Sequence, residues 1–436
     1  MDIKDRINLK FLIISLFFVG TSIALMPINQ VPDEMNHARM SWEIVHKPEK
    51  DNFKWMEEIK TSPEKDKVQY KNEINKKINL SKEKFQLNFS LKSINHLPQL
   101  LGMMIMSLFT TKVFYILMLG RIFNGLLYCV GCYLIARKLK FGKLAFMFIS
   151  LLPIMIQQAS SLSYDVLNYL SIAYFFSLIT NIIDKKDIDN KIFIQIILST
   201  LLLYITKTNN LLLLAVLPFV ETRYSFAPKN VERFIINMKE LIKKNIRVVL
   251  PITIIVMAVV FFYIISFKTS PLYYVKVILN TLLNNNLNGH LNTILTIGMF
   301  GYVGNFFLQF PLWFIYLDII VLFILLMYNP NKIIISKSFG MVCSFVFPIQ
   351  VLIIITGMYF MWTPLALGEN ANISVGAQGR YFTPFLIFYT PFLFSLKDKI
   401  SLNVNERWIY RIFYFSLMCN YVMMLFMVLT AYWINL

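Results

Sequence analysis

Long apolar runs decide what this chain can become. Phe11–Met26, Val113–Ala136, Val248–Phe267 and Trp313–Met327 are nearly free of charge, and runs of about 17–25 such residues match a helix that crosses a bilayer. Hydrophobic residues make up 57% of the chain and charged ones 15%, against about half and a quarter in soluble domains. The pattern describes an all-α, polytopic membrane protein. Basic loops on the cytoplasmic side account for the formal charge of +18, so nucleic acid is not expected as a partner. Cys129-Val130-Gly131-Cys132 has redox-motif spacing, but its setting is a membrane helix; like Cys343 and Cys419, these cysteines read as buried small residues.

Lysine and arginine in the short loops predict about eleven spans, with the amino terminus cytoplasmic and the carboxy terminus extracytoplasmic. Lys4, Arg6 and Lys10 precede the first span, and Arg137-Lys138-Leu139-Lys140 closes the second. The third, Lys143 to Gln158, carries Pro153, and the fourth runs to Ile183 before Asp184-Lys185-Lys186. Spans five and six are short, with Thr206–Asn210 as a polar tip between them. Glu221 to Arg247 reads as an amphipathic helix on the membrane surface. Span seven, Val248–Phe267, leads to an outer loop with Tyr273-Tyr274, Asn284-Asn285-Asn286 and His290. Span eight is centred on Trp313–Met327, span nine ends at Trp362, span ten runs to Lys397-Asp398-Lys399, and span eleven begins near Ile409. Residues 1–436 form one domain, in which 28–112 are a long first extracytoplasmic loop; its stretch Lys47 to Lys84 is densely charged and reads as solvated or surface-lying helix.

The polar residues that do not belong in such a chain fall on one side of this topology. Val31-Pro32-Asp33-Glu34-Met35-Asn36-His37-Ala38-Arg39 follows directly on the first span. Pro32 suits the first turn of a helix, in which Asp33, Glu34 and His37 share a face at i, i+3 and i, i+4 spacing. Asp165 follows span three, Lys207 lies between spans five and six, and Gln378, Arg380 and Tyr381 precede span ten. Arg121, inside span two, is costly there unless it faces a partner or a polar cavity. Carboxylates beside arginine and lysine at a membrane surface suit one chemistry. A carboxylate takes a proton from an acceptor hydroxyl, while the cations hold a lipid-linked phosphate and stabilise the charge that develops as it leaves. Plainer readings stand beside this one: Asp33-Glu34 and Asp165 as helix caps, Glu34-x-x-His37 as half a metal site, Lys207 as an interfacial lysine, Arg380 as an interfacial anchor. His46, His96 and His290 read as ordinary loop residues.

Val31-Pro32-Asp33-Glu34-x-x-His37, Gly120-Arg121-Ile122-x-Asn124, Ser161-x-Ser163-Tyr164-Asp165, Lys207 and Gly376-x-Gln378-Gly379-Arg380-Tyr381-Phe382-x-Pro384 resemble the DUF2142 family of predicted bacterial membrane proteins, whose organisation is similar to that of GT-C glycosyltransferases. The resemblance implies a GT-C-like fold in the bacterial cytoplasmic membrane with its site facing outwards. It implies Asp33 or Glu34 as the catalytic carboxylate, and His37, Arg39, Arg121, Asp165, Lys207, Gln378, Arg380 and Tyr381 as substrate-binding residues. The donor would be a sugar on a polyprenyl phosphate, and the acceptor an envelope glycopolymer or lipid. No cofactor follows from the residues, although a divalent ion such as Mg or Mn is open. A transporter or flippase of lipid-linked sugars, without chemistry, is the alternative.

Overall fold

The structure, a computed structural model, describes residues 3–47, 71–72, 74–78, 80, 84–284, 294–304, 308–396 and 404–434. Most of the charged stretch Lys47 to Lys84, Asn285-Asn286, His290 and Lys397-Asp398-Lys399 lie outside them. The first apolar run forms α1 (Ile3–Leu25), and Glu34–Trp42 forms the short α2. A 3-10 segment, Leu91–His96, leads into α3 (Leu97–Ser107), with Pro98 in its first turn, and α4 (Val113–Lys138) ends in Arg137 and Lys138. Small residues let these helices meet. A Cβ on Gly102 would lie 2.5 Å from the Leu119 carbonyl, and one on Gly125 would lie 2.8 Å from Val19 of α1.

The third apolar run departs from the single span its composition predicts. It breaks into α5 (Lys143–Ser150) and α6 (Pro153–Ala159). Pro153 donates no hydrogen bond and holds Leu152 in an extended conformation, so the helix stops and restarts. Next come α7 (Asp165–Lys185), α8 (Asn190–Thr206) and a 3-10 segment, Thr208–Phe219. The amphipathic α9 (Lys229–Lys244) precedes α10 (Ile246–Ser266). Tyr273 and Tyr274, expected in a loop, belong to α11 (Pro271–Leu283), which bends 102° from the end of α10. Tyr274, Val277, Ile278 and Thr281 are buried at helical spacing, which stabilises this turn of chain as a helix.

A one-turn α12 (Ile297–Phe300) and a hairpin, β1 (Tyr302–Val303) against β2 (Leu308–Gln309), lead to α13 (Leu312–Met327). Then follow α14 (Lys337–Met361), α15 (Thr363–Leu367), 3-10 turns at Gly379–Tyr381 and Thr383–Phe388, α16 (Tyr389–Ser395) and α17 (Glu406–Tyr432). Among the described residues five helices are long and apolar enough to cross a membrane: α1, α4, α7, α14 and α17. The bent α10–α11 pair makes six if it counts as one span. Exposed apolar side chains such as Ile255, Val259 and Phe426 on these helices suit contact with lipid. Asp318 of α13 is buried against α17, accepting from Asn420 Nδ2 at 2.7 Å and Ser416 Oγ at 3.2 Å. A second small core, with Met35, Ala38 and Trp42 of α2 against Met103, Ile116 and Leu162, seats α2 on α3 and α4.

Candidate functional site

The first feature is a strained residue. Asp33 has φ 65°, the left-handed region that aspartate and asparagine tolerate better than other non-glycine residues. A residue before a helix ordinarily caps it with its side chain; Asp33 does not. Its carboxylate instead accepts from Arg380 Nη2 at 2.7 Å and remains 43% exposed. The left-handed turn sends Asp33 and Glu34 apart.

Glu34 is fully buried and bound on every side. Arg121 Nε and Nη2 donate to its two carboxylate oxygens at 2.7 Å each, and the backbone amides of Asn29 and Leu162 add bonds of 2.9 and 3.3 Å. Arg121, also fully buried, donates to the carbonyls of Met26 at 2.7 Å and Pro27 at 3.0 Å. This forked pair fastens the segment after α1 to α4 and to the turn before α7. Asn124 completes the turn by donating to the Ser161 and Ser163 carbonyls at 2.7 and 3.0 Å, while Gln99 donates to Asn124 and to Ser163. Gly120 gives that turn room, because a Cβ there would lie 2.8 Å from Leu162. The arginine and glutamate are thus partners of each other.

The turn presents Asp165, which bridges two cations. Lys207 Nζ lies 2.9 Å from one oxygen, and Arg380 Nε lies 3.3 Å from the other, off the hydrogen-bond line. Neither Asp165 nor Asp33 acts as a side-chain cap. Asp33, Arg380, Asp165 and Lys207 therefore alternate in sign along a chain of contacts. The Tyr381 ring lies 4.3 Å from the Lys207 ammonium, and the Tyr164 ring 5.2 Å from it. Burial lowers the Lys207 affinity for its proton, but the neighbouring Asp165 outweighs it and holds the ammonium firmly protonated. Burial acts on Arg380 in the same sense and is outweighed by Tyr381, Asp165 and Asp33.

Beside the charges stand two histidines. His37 and His96 are buried with ring centroids 5.8 Å apart, and Tyr164 packs edge-on to His37 at 4.8 Å. Burial pushes both pKa values down to about 4, so both rings are neutral at pH 7. Ser41 donates its hydroxyl proton to the His37 carbonyl at 2.7 Å, so it accepts from His96 Nδ1 at 3.3 Å and fixes that ring's tautomer. His96, expected to be an ordinary loop residue, belongs to this centre. Only its position beside Pro98, at a helix start, hinted that it is held in place.

Of the residues singled out in the sequence, Asp33, His37, Asp165, Lys207, Arg380 and Tyr381 come together here. Arg39 pairs instead with Glu43, 3.8 Å away across one turn of the exposed side of α2. Gln378 lines a cleft next to Arg380, its Oε1 buried. Among the described residues no three His, Cys, Asp or Glu side chains are close enough to hold a metal ion. Asp33 and Asp165 each already have a cation as partner.

Apolar helices of crossing length around one charged, aromatic-lined site make this a helical membrane protein. The family model described as predicted membrane protein (DUF2142) matches residues 16–389, and the chain belongs to that family. No curated protein and no solved structure matches it.

Proposed function

We propose that this chain is a glycosyltransferase that moves a sugar from a polyprenyl-phosphate donor to a hydroxyl of an envelope glycopolymer or lipid. The observation that carries the reading is Asp33. It is a half-exposed carboxylate held by one oxygen against Arg380, which itself contacts Asp165 and through it is linked to Lys207. The arrangement supplies a base near one buried and one partly buried cation, which is what displacement of a lipid phosphate requires. Asp33 takes the proton from the acceptor hydroxyl. The hydroxyl oxygen bonds to the anomeric carbon, and the carbon–oxygen bond to phosphate breaks with its electron pair going to the phosphate. Arg380 and Lys207 receive that charge, and attack opposite the leaving group inverts the anomeric centre. Glu34 and Arg121 hold the frame.

The same reading sets the protein in the bacterial cytoplasmic membrane with a GT-C-like course of about eleven apolar segments, amino terminus inside and carboxy terminus outside. The site then faces the extracytoplasmic side. It rests on the lysine- and arginine-rich short loops, all of which this course puts on one side.

The test is donor consumption by purified protein in lipid, with wild type beside Asp33→Asn and Arg380→Ala. Wild type releases bare polyprenyl phosphate when acceptor is present. Asp33→Asn binds donor and does not turn it over, and Arg380→Ala binds it weakly. Donor that crosses the bilayer unconsumed would replace this reading with that of a carrier.

A further inference from the structure

Between α4, α7 and α8 lies a groove that reaches the end of α4 remote from Arg121. Gly131, Leu134 and Lys138 of α4 face Leu167, Leu170 and Tyr174 of α7 across it, and Leu202 of α8 closes the third side. We infer that this groove holds an acyl chain of an anionic phospholipid of the surrounding membrane, with the lipid's phosphate on Lys138. Such a site stands whether or not the chain is a transferase.

Two helical stripes build the groove. Gly131, Leu134 and Lys138 recur at i, i+3 and i+7, and Leu167, Leu170 and Tyr174 repeat the spacing, so each set shares one helix face. At one end the helices meet closely, because a Cβ on Gly131 would lie 2.8 Å from Leu170. At the other they are tied again: Asn181 Nδ2 donates to the Lys138 carbonyl at 3.1 Å, and Thr180 Oγ1 accepts from the Lys140 amide at 3.3 Å. The rise along α4 from Gly131 to Lys138 is roughly 10 Å.

The space so framed is large enough to need an occupant. Its cavity measures about 220 Å³, whereas an apolar cavity of about 150 Å³ already stays dry and takes a benzene ring. Ser171, also in the lining, spends its hydroxyl on the Asn168 carbonyl at 2.8 Å and on Thr206 Oγ1 at 3.1 Å. Water therefore finds little to bond along these walls. Leu134 is 47% exposed, and α4 and α7 are both of crossing length, so the groove opens towards hydrocarbon.

Charge selects the lipid. Lys138 is the one charged side chain in the lining, and its ammonium lies 5.1 Å from the centre of the Tyr174 ring. The carboxylates at this end are taken by other lysines, Asp184 by Lys140 at 3.1 Å and Asp189 by Lys185 at 3.5 Å. Among the described residues no carboxylate pairs with Lys138. A free cation at the end of an apolar groove between helices matches a hydrocarbon chain with an anionic head. A zwitterionic head brings an ammonium of its own and gains less there. On the orientation proposed above, the leaflet concerned is the cytoplasmic one.

The lipid that the protein carries out of a membrane tests the site. Wild type, Lys138→Gln and Leu202→Trp are placed in nanodiscs of equal phosphatidylglycerol and phosphatidylcholine with matched chains. Native mass spectrometry then identifies the lipid each keeps on release. Wild type should keep one lipid, phosphatidylglycerol over phosphatidylcholine by about fivefold, the worth of one lysine at an anionic surface. Lys138→Gln should keep a lipid without preference. Leu202→Trp, which fills the groove from α8, should keep none; if its melting temperature shows misfolding, Leu202→Phe takes its place. A wild type that keeps no lipid, or keeps both equally, overturns the site. So does a Lys138→Gln protein that still prefers phosphatidylglycerol, or a groove-filled variant that still retains it. Bare polyprenyl phosphate that displaces phosphatidylglycerol from wild type also overturns it, and makes the groove a seat for the donor's tail.

Discussion

Replacing Arg121 with alanine removes four hydrogen bonds at one stroke, two to Glu34 and two to the Met26 and Pro27 carbonyls. Glu34 is left as a fully buried carboxylate that keeps its bonds from the amides of Asn29 and Leu162. Breaking a buried pair from one side costs about 3–5 kcal/mol, because an uncompensated charge stays behind. At about 2–4 °C per kcal/mol for chains of 150–250 residues, and less for longer ones, the melting temperature should fall by roughly 5 °C. The assay is thermal unfolding of purified protein in lipid, followed by intrinsic fluorescence. The six tryptophans, among them Trp42 buried on α2, report the unfolding. The double variant Arg121→Met with Glu34→Leu leaves no orphan charge and should recover a good part of the loss. An Arg121→Ala protein that melts within about 1 °C of wild type would refute the clamp, since charge burial then carries no penalty there.

Acid should loosen the same region. His37 and His96 have pKa values lowered from 6.5 to about 4, so between those limits the unfolded chain binds more protons than the folded one. Stability is full above pH 6.5 and is lost as pH falls towards 4, by about 3 kcal/mol for each ring at most. Melting temperature measured across that window should fall with pH, and His37→Gln with His96→Gln should flatten the slope. Gly379→Ala drives a Cβ into the Gly298 backbone and should cost about 1–3 kcal/mol or more, while Gly357→Ala, with open space around it, should melt as wild type does. Asp318 Oδ2 and Asn420 Oδ1 are buried acceptors that both lack a donor; Asp318→Asn supplies one and should melt at or above wild type, whereas Asp318→Leu should lose about 1–3 kcal/mol.

Much of this site was visible in the amino-acid sequence because charge is conspicuous in an apolar chain. Asp33, Asp165, Lys207 and Arg380 each interrupt the pattern where a helix leaves the apolar region, and the structure brings all four into contact. The division of labour between Asp33 and Glu34 was not visible. They are neighbours whose side chains part only because Asp33 is left-handed, and a φ angle leaves no mark in composition. His96 was missed for a related reason: its partners, Ser41, His37 and Tyr164, are distant in the chain and met only through tertiary packing. The breaks in the helices were partly legible. Pro153 marks one, although proline within an apolar run is often tolerated, and the buried spacing of Tyr274, Val277, Ile278 and Thr281 after Pro271 would have found α11.

The four-residue charge chain has a consequence for how the protein waits. Two carboxylates and two cations balance, so the resting site already contains its own counter-ions. On the proposed reading, an arriving phosphate cannot simply add itself. It competes with an internal acid for Arg380, and the acid that gives way is the more exposed, Asp33, at 43% against 11% for Asp165. Asp33 would thereby part from its cation at the moment a donor is in place. Idle, the site neutralises itself; loaded as proposed, it would free one carboxylate.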